Sequence, residues 1–563
     1  MLRSISLTFG AFVTTGLAAV TSYPSRSTSI SPAWAALNAT VGGRLFVGEP
    51  IAKSCFSSYE GNLVTPDTTQ CSAVQAGYLS PTYLVSKYGS AMEAQWGTCI
   101  STHEQCLLDS KSPSNPLATT NATCDQGSIS PYYIAVANAQ DVQAAFAFAS
   151  IKNIPLSIKN TGHDYMGRSH IAGSLALWMS YNAKFVPEGG GSGISYNAIT
   201  VGAGVIFDDL YPFADAHNVT FVGGYAQSVG ASGGYLMGGG HSVLSPAFGL
   251  AVDRVVQIKI VTPDGSYRTA NKFKNADLFW ALRGGGGGTF GVVIESTHRV
   301  EPALTLQVAA MTYTPSASNA REFFQIIVDN SVKWAHEGWG GHINDGSFVY
   351  VNPLISLADA QASMKPLSDY IASQNGTASV ATMPSWYSFY SKLVVPHQGP
   401  VGALLAFGSR LIPQSVFEDV NGATSLVNIL MVLRGIVVNV AAVAPTLYNA
   451  TSANDTSVTP AWREAIWQLP TGFMWSYNSS VADVEFGLNF VHTFVDNFRA
   501  IAPNSGAYLN EAEPYETDYQ NSFWGPTNYP KLEAIKAKYD PLSLLDCWKC
   551  VGTKADFPCY PDL

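Results

Sequence analysis

Charge is scarce in this chain. Asp, Glu, Lys and Arg make up 12% of its 563 residues, while 47% are hydrophobic. That balance excludes extended disorder and fits a large buried core. Positive charge is scarcer still: 30 Lys and Arg against 40 Asp and Glu give a net charge of −10, with no basic cluster. Nucleic acid is thereby excluded as a partner, because its phosphates demand a basic surface. The histidines form no H-x-H, H-E-x-x-H or facial His/carboxylate pattern, so no metal site is expected. No G-x-S-x-G elbow marks a hydrolase. Long unbroken apolar runs are missing too. Leu426–Ala444 is interrupted by Asn428, Arg434, Gly435 and Asn439, and reads as buried core rather than a membrane span. There is no internal repeat, no low-complexity block, and no cysteine between residues 125 and 546.

What is present begins with Met1–Arg3, an apolar stretch Ile5–Val20, and small residues near Thr21 and Ser22. This is the layout of a secretory signal peptide, too short to span a membrane comfortably. Eight cysteines (Cys55, Cys71, Cys99, Cys106, Cys124, Cys547, Cys550 and Cys559) form an even set, which in a secreted chain implies disulfides and staples both ends to the body. Cys547-x-x-Cys550 also matches a redox or zinc motif, but no second Cys or His pair at zinc spacing accompanies it. Glycosylation sequons at Asn38, Asn121, Asn218, Asn375, Asn449, Asn454 and Asn478 support a eukaryotic secretory route.

Chemistry concentrates in three glycine-rich stretches. Residues 157–169 read Ser-Ile-Lys-Asn-Thr-Gly-His-Asp-Tyr-Met-Gly-Arg-Ser, between apolar runs Ile154–Ile158 and Ser174–Met179. This predicts a strand–loop–strand whose backbone approaches a ligand closely and whose amides suit a diphosphate. His163 is either an ordinary loop histidine or the side chain beside that ligand. Residues 229–242 read Val-Gly-Ala-Ser-Gly-Gly-Tyr-Leu-Met-Gly-Gly-Gly-His-Ser, and residues 277–293 read Asp-Leu-Phe-Trp-Ala-Leu-Arg-Gly-Gly-Gly-Gly-Gly-Thr-Phe-Gly-Val-Val. Gly286, Gly288 and Gly291 spell G-x-G-x-x-G, but a Rossmann fingerprint needs a strand before it and a helix after it. Here Asn275 and Asp277 predict the cap of a helix running through Arg283, and Val292–Ser296 predicts a strand. Elsewhere Tyr132–Val136 reads as extended and Asn138–Asp141 as a helix cap with Val142, Phe146 and Ala149 on one face. Ile199–Val201, Phe221–Val222 and Val255–Val261 read as strands, the last ending at a turn over Pro263–Gly265. The pattern is α+β. Six tryptophans in residues 305–500 (Trp334, Trp339, Trp386, Trp462, Trp467 and Trp475) are core, with one or two left to roof a pocket.

In this order the three motifs resemble the flavoprotein family of vanillyl-alcohol oxidase and p-cresol methylhydroxylase. The chain looks most like its secreted fungal branch, with isoamyl alcohol oxidase and berberine-bridge-enzyme-like oxidases, and Asn528–Pro541 resembles the closing helix of that branch. The match spans about residues 125–300 and 500–550. It implies an α+β fold: a two-subdomain, PCMH-type FAD-binding domain with an inserted α+β substrate domain. The corresponding boundaries are 1–22 for the signal peptide, 23–124 for an N-terminal Cys-containing segment, 125–304 for the FAD-binding domain, 305–500 for the substrate domain, and 501–563 for a segment returning to the FAD domain.

The resemblance also implies site residues. His163 corresponds to the histidine bonded to the flavin 8α-methyl. Its implied FAD-binding companions are Asn160, Thr161, Gly162, Asp164, Gly167, Arg168 and Ser169, then Ser228, Gly230, Gly233, Gly234, Gly239, His241 and Val293. Ala226 stands where many relatives place a second, cysteinyl attachment. Tyr508–Tyr515 corresponds to a stretch bordering the flavin: Tyr508 and Asn510 are expected to line the active site. Glu511 and Tyr515 are candidate proton acceptors, and Glu511 on a solvated loop is the plain alternative. The implied activity is a secreted FAD-dependent oxidase moving hydride from an alcohol-type substrate to covalent FAD and then to O2, giving H2O2. Its expected partners are that small-molecule substrate and O2, with no protein partner. Two other readings stand beside it: a tailoring oxidase performing oxidative cyclisation or desaturation, and a flavin-carrying glycoprotein with little turnover.

Overall fold

Short, continuously apolar strands buried on both faces suit a parallel sheet. Leu156–Lys159 and Tyr132–Ala135 each pair parallel with Leu175–Trp178, and Leu45–Val47 adds an antiparallel edge. This computed structural model describes residues 31–179, 185–189, 197–399, 401–436, 439–448 and 455–563; the expected signal peptide and the sequons at Asn449 and Asn454 lie outside them. Helix Ala139–Lys152 makes the crossover between Tyr132–Ala135 and Leu156–Lys159. The Asn138 side chain caps it by accepting from Asp141 N, and Asn153 ends it in the left-handed region. Because Leu156–Lys159 and Leu175–Trp178 run the same way, residues 160–174 must travel back along the sheet, which puts His163 just beyond the carboxyl end of a strand.

A second, antiparallel sheet follows, in the order Tyr267–Ala270, Val255–Val261, Val292–Arg299, Asn197–Gly202, Phe185–Gly189. Helix Ala276–Ala281 precedes Val292–Arg299, so the Gly286–Gly291 run joins a helix to a strand, the reverse of a Rossmann turn. Two local expectations need correction. Asn275 makes no cap bond; its amide donates to Thr269 O at 2.8 Å while its backbone turns left-handed, φ 49°. The strand expected at Phe221–Val222 is Val219–Thr220, drawn there by pairing with Glu301–Pro302.

The third sheet has seven antiparallel strands, ordered Thr377–Met383, Leu306–Thr312, Ser347–Asn352, Gly340–Asn344, Val440–Ala442, Ala465–Trp475, Leu404–Pro413. Helices Ala320–Glu337, Leu357–Ser373, Val420–Leu433 and Val481–Ile501 share one apolar core with it. Ala320–Glu337 buries Phe323, Ile327, Ser331 and Trp334, one face at helical spacing. The interrupted run Leu426–Ala444 is divided between helix Val420–Leu433 and strand Val440–Ala442 in this core. Among the described residues no helix is long and apolar enough to cross a membrane.

The chain then returns to the first two sheets. Helix Tyr519–Tyr539, kinked at Gly525, docks on the 276–291 region: Trp524 Nε1 donates to Gly284 O at 3.0 Å, Lys536 Nζ to Thr289 O at 2.6 Å, and Tyr539 OH to Asp277 at 3.0 Å. Beyond it, residues 546–563 form a strap. Trp548 stacks on Tyr560 at 4.4 Å, Tyr560 OH donates to Met166 O at 2.5 Å, and Cys559 is bonded to Cys99, 460 residues earlier. The other disulfides are Cys55–Cys71, Cys106–Cys124 and Cys547–Cys550, and no cysteine is free.

Candidate active site

The loop after Leu156–Lys159, the glycine-rich turns at 229–237 and 287–291, and the returning segment 508–511 line one cavity with about 1310 Å³ of empty space, its open mouth included. Its wall holds Asn160, Thr161, Gly162, His163, Asp164, Arg168, Ser169, Gly230, Gly233, Gly234, Val293, Tyr508, Asn510 and Glu511. Within the first loop, Asp164 accepts from Arg168 N and from its guanidinium, at 2.5 Å each, which closes the loop on itself. Met92 N donates to Gly162 O at 3.2 Å, so the N-terminal segment braces the same loop.

Two neighbouring contacts shape the wall. Asn160 Nδ2 donates to Ser232 O at 2.9 Å, and a Cβ at Gly230 would lie 2.4 Å from that amide nitrogen, so a side chain there would push Asn160 off its bond. Asn160 Oδ1 is buried without a hydrogen-bond partner among the described residues. His163 Nε2 lies 2.7 Å from Ser228 Oγ, and burial holds the imidazole down to about 4, neutral at physiological pH.

At the other end a carboxylate is gripped from two sides. His241 Nε2 donates to Glu511 Oε1 at 2.9 Å, and Gln468 Nε2 donates to Oε2 at 2.7 Å. Ser409 Oγ donates to the Glu511 carbonyl at 2.6 Å and accepts from Gln468 at 3.0 Å. Ser409 and Gln468 come from paired strands of the seven-stranded sheet, and Phe407, two residues from Ser409, stacks on Tyr165 of the first loop at 4.7 Å. Burial pushes Glu511 up, but the facing His241 charge and the bonds from His241 and Gln468 outweigh it and hold the carboxyl below its usual range. Tyr508 OH accepts from Gly240 N at 3.2 Å and Asn510 Nδ2 at 2.9 Å; burial first, then Glu511, pushes its phenol well up. Asn510 Nδ2 also faces Gly234 O at 3.0 Å.

Five expected residues are not on the wall. Ser228 stands behind His163 and His241 behind Glu511. Gly239 backs Tyr508, and Gly167 is a packing position where a Cβ would strike Trp96 and Tyr560. Tyr515 lies against Trp548, its hydroxyl buried without a partner among the described residues. Five of the six tryptophans are buried, Trp475 is half-buried, and none lines this cavity. Conversely, Tyr165, Ser232, Tyr235 and Gly287 line it without having been singled out, although all four lie inside the three motifs. Gln468 and Ser409 carried no motif at all.

Two family models match this chain: "FAD binding domain" over residues 130–271 and "Berberine and berberine like" over residues 507–546. These two spans carry the His163 loop and the Glu511 segment. The FAD-linked oxidoreductase ffsJ of Aspergillus flavipes is 39% identical, across 93% of this chain and 92% of its own. The chain belongs to the VAO-type, FAD-linked oxidoreductases. The fold of this oxidoreductase agrees. The VAO-type flavoprotein MtVAO615 from Myceliophthora thermophila C1 superposes with a TM-score of 0.83 at 27% identity, covering 94% of this chain and 97% of that one. Glucooligosaccharide oxidase from Acremonium strictum, which carries a 6-S-cysteinyl, 8α-N1-histidyl FAD, shares the fold with a TM-score of 0.63 at 22% identity over 76% and 92% of the two chains.

The oxidoreductase's own residues fit such a cofactor. Asn160 Oδ1 is an acceptor left unpaired on the wall, and the glycines at 230, 233, 234, 287 and 288 leave backbone amides unshielded by side chains.

Proposed function

We propose that this protein is a secreted oxidase of CH–OH groups, with FAD linked through His163 and dioxygen as the electron acceptor, releasing hydrogen peroxide. The observation that carries the reading is Glu511, a carboxylate on the cavity wall held ionised by His241 and Gln468. FAD supplies, when bound, a two-electron acceptor for hydride. Residues 125–304 and 501–563 serve as its domain, and residues 305–500 cover the substrate side. Asn160, Thr161, Gly162, Ser232, Gly233 and Gly234 are the residues that would hold the dinucleotide. Ala226 offers no thiol, so a single histidyl link is proposed.

In this reading Glu511 takes the substrate hydroxyl proton. With its affinity for protons below normal it is a weak base, so the proton moves as hydride leaves rather than beforehand. Tyr508 keeps its proton and orients the hydroxyl together with Asn510. Tyr515, off the wall, is set aside as the base.

Peroxide release should be measured on a panel of alcohols, sugars and phenols, with purified yellow protein. Release with one class supports the proposal. A flavin reduced by substrate but reoxidised only by other acceptors would make the protein a dehydrogenase, and no reduction by any class would leave a flavin carrier.

A further inference from the structure

Across the seven-stranded sheet, strand pairing sets Val349, His342, Ala441, Gln468 and Leu411 in one row, each the partner of the next. Their neighbours along the strands, Ile343, Val440, Trp467 and Leu469, point into the core shared with the helices, so the row faces the flavin-binding half. Gln468 grips Glu511 from this row. His342 stands two strands further on, about 10 Å away, with only the methyl group of Ala441 between them. Gly340, on the same face, packs so close to the turn after His241 that a Cβ there would lie 2.1 Å from Val243 O. Tyr225, next to Ala226 on the cavity wall, sets its ring 4.8 Å from the His342 imidazole, and the charges of His241 and Glu511 are felt at that imidazole. His342 is half-buried, so a ligand can reach it. Its two nitrogens differ. Nδ1 lies 3.1 Å from Asn439 Oδ1, and an amide oxygen only accepts, so Nδ1 carries the hydrogen. Burial first, then the His241 charge, hold the imidazole down to about 4; at neutral pH it has a single hydrogen and Nε2 is a bare lone pair. No described residue donates to Nε2.

We propose that His342 is a specificity-determining residue of the oxidase: its Nε2 accepts a hydrogen bond from a second hydroxyl of the substrate while Glu511 faces the reacting one. The substrate class is an alcohol with a further hydroxyl several bonds from the carbon that is oxidised. Hydroxyls on adjacent carbons are too close together to reach both residues. A methyl ether in place of the second hydroxyl has no hydrogen to give, so the lone pair goes unmet and binding weakens. The inference rests on the oxidase reading given above and adds to it which alcohols are taken.

The test uses full-length, flavin-loaded wild type, His342→Phe and His342→Gln, with hexane-1,6-diol and 6-methoxyhexan-1-ol as probes. Binding is followed without oxygen by the flavin spectrum. The reading is the ratio of the two Kd values, compared between proteins so that the ligands' own hydration cancels. The ratio should favour the diol about fivefold more in wild type than in His342→Phe, the weight of one neutral hydrogen bond. His342→Gln, which keeps a carbonyl to accept, should recover part of that preference. An equal ratio in wild type and His342→Phe, or a wild type that binds neither probe, overturns the inference. Should His342→Phe fail to fold, diols and their monomethyl ethers of graded chain length are compared on wild type. The preference for the diol should then peak at one length, because His342 and Glu511 are fixed in place, and a preference flat with length overturns the inference. A diol bound with the expected ratio that never reduces the flavin overturns the oxidase reading instead and leaves His342 in its role.

Discussion

A carboxylic acid enclosed by protein ordinarily keeps its proton, and Glu511 does not. Glu511→Gln keeps the shape and removes the charge. Flavin reduction by substrate, followed without oxygen, should slow by roughly 10²–10⁴-fold at unchanged flavin content. A rate within a few-fold of wild type would take Glu511 out of the mechanism. Glu93 shows the opposite behaviour a short way off. It is 5% exposed, its Oε2 has no partner among the described residues, and burial first, then the Asp164 charge, raises it to about 8. From about pH 4.5 to about 8 the unfolded chain ionises Glu93 while the folded one keeps it protonated, so stability falls as pH rises through that window and stays reduced above it. Glu93→Gln removes the penalty. The variant should unfold later than wild type at about pH 8, by about 2–4 kcal/mol, with the gap closing toward pH 4.5. A gap that is constant with pH would mean that Glu93 is ionised in the native protein.

Among the elements, the three glycine-rich loops were readable because their constraints are local: a turn that tolerates no Cβ, or an amide row facing a ligand, is written in consecutive residues. Val255–Val261 was readable for the same reason, as a strand rich in β-branched residues, five of its seven, ended by a proline–glycine turn. The seven-stranded sheet was not. Leu404–Pro413 meets Ala465–Trp475 across a long stretch of chain, and Thr377–Met383 lies at the far edge. No local pattern states such partners, and so Gln468 and Ser409, polar residues on the inner face of that pair, went unseen. The 546–563 strap is the element whose role is most directly testable. Cys559→Ser should destabilise by roughly 2–5 kcal/mol in melting experiments. Tyr560→Phe, which spares the disulfide and loses only the bond to Met166 O, should cost about 1 kcal/mol. A Cys559→Ser protein melting with wild type would show that the strap holds without its covalent link.

At the scale of the whole molecule, four disulfides account for all eight cysteines. Unfolded but unreduced protein should therefore titrate no thiol, and reductant should expose eight; one or two thiols without reductant would contradict the pairing. Asn121, Asn218, Asn375 and Asn478 are exposed, open to the glycans that a secretory route attaches.

The Cys99–Cys559 bond also sets a clock. In chain order Cys559 follows every residue of the site, from Asn160 to Glu511, so the bond cannot close until all of them have been synthesised. At 5–20 residues per second the 460 residues between the two cysteines take roughly 20–90 s to make. Throughout that interval Cys99 is a thiol without its partner, in the company of Cys55, Cys71, Cys106 and Cys124. Faithful maturation thus depends on those four finding each other first, or on an isomerase undoing the wrong choices before the last link is tied.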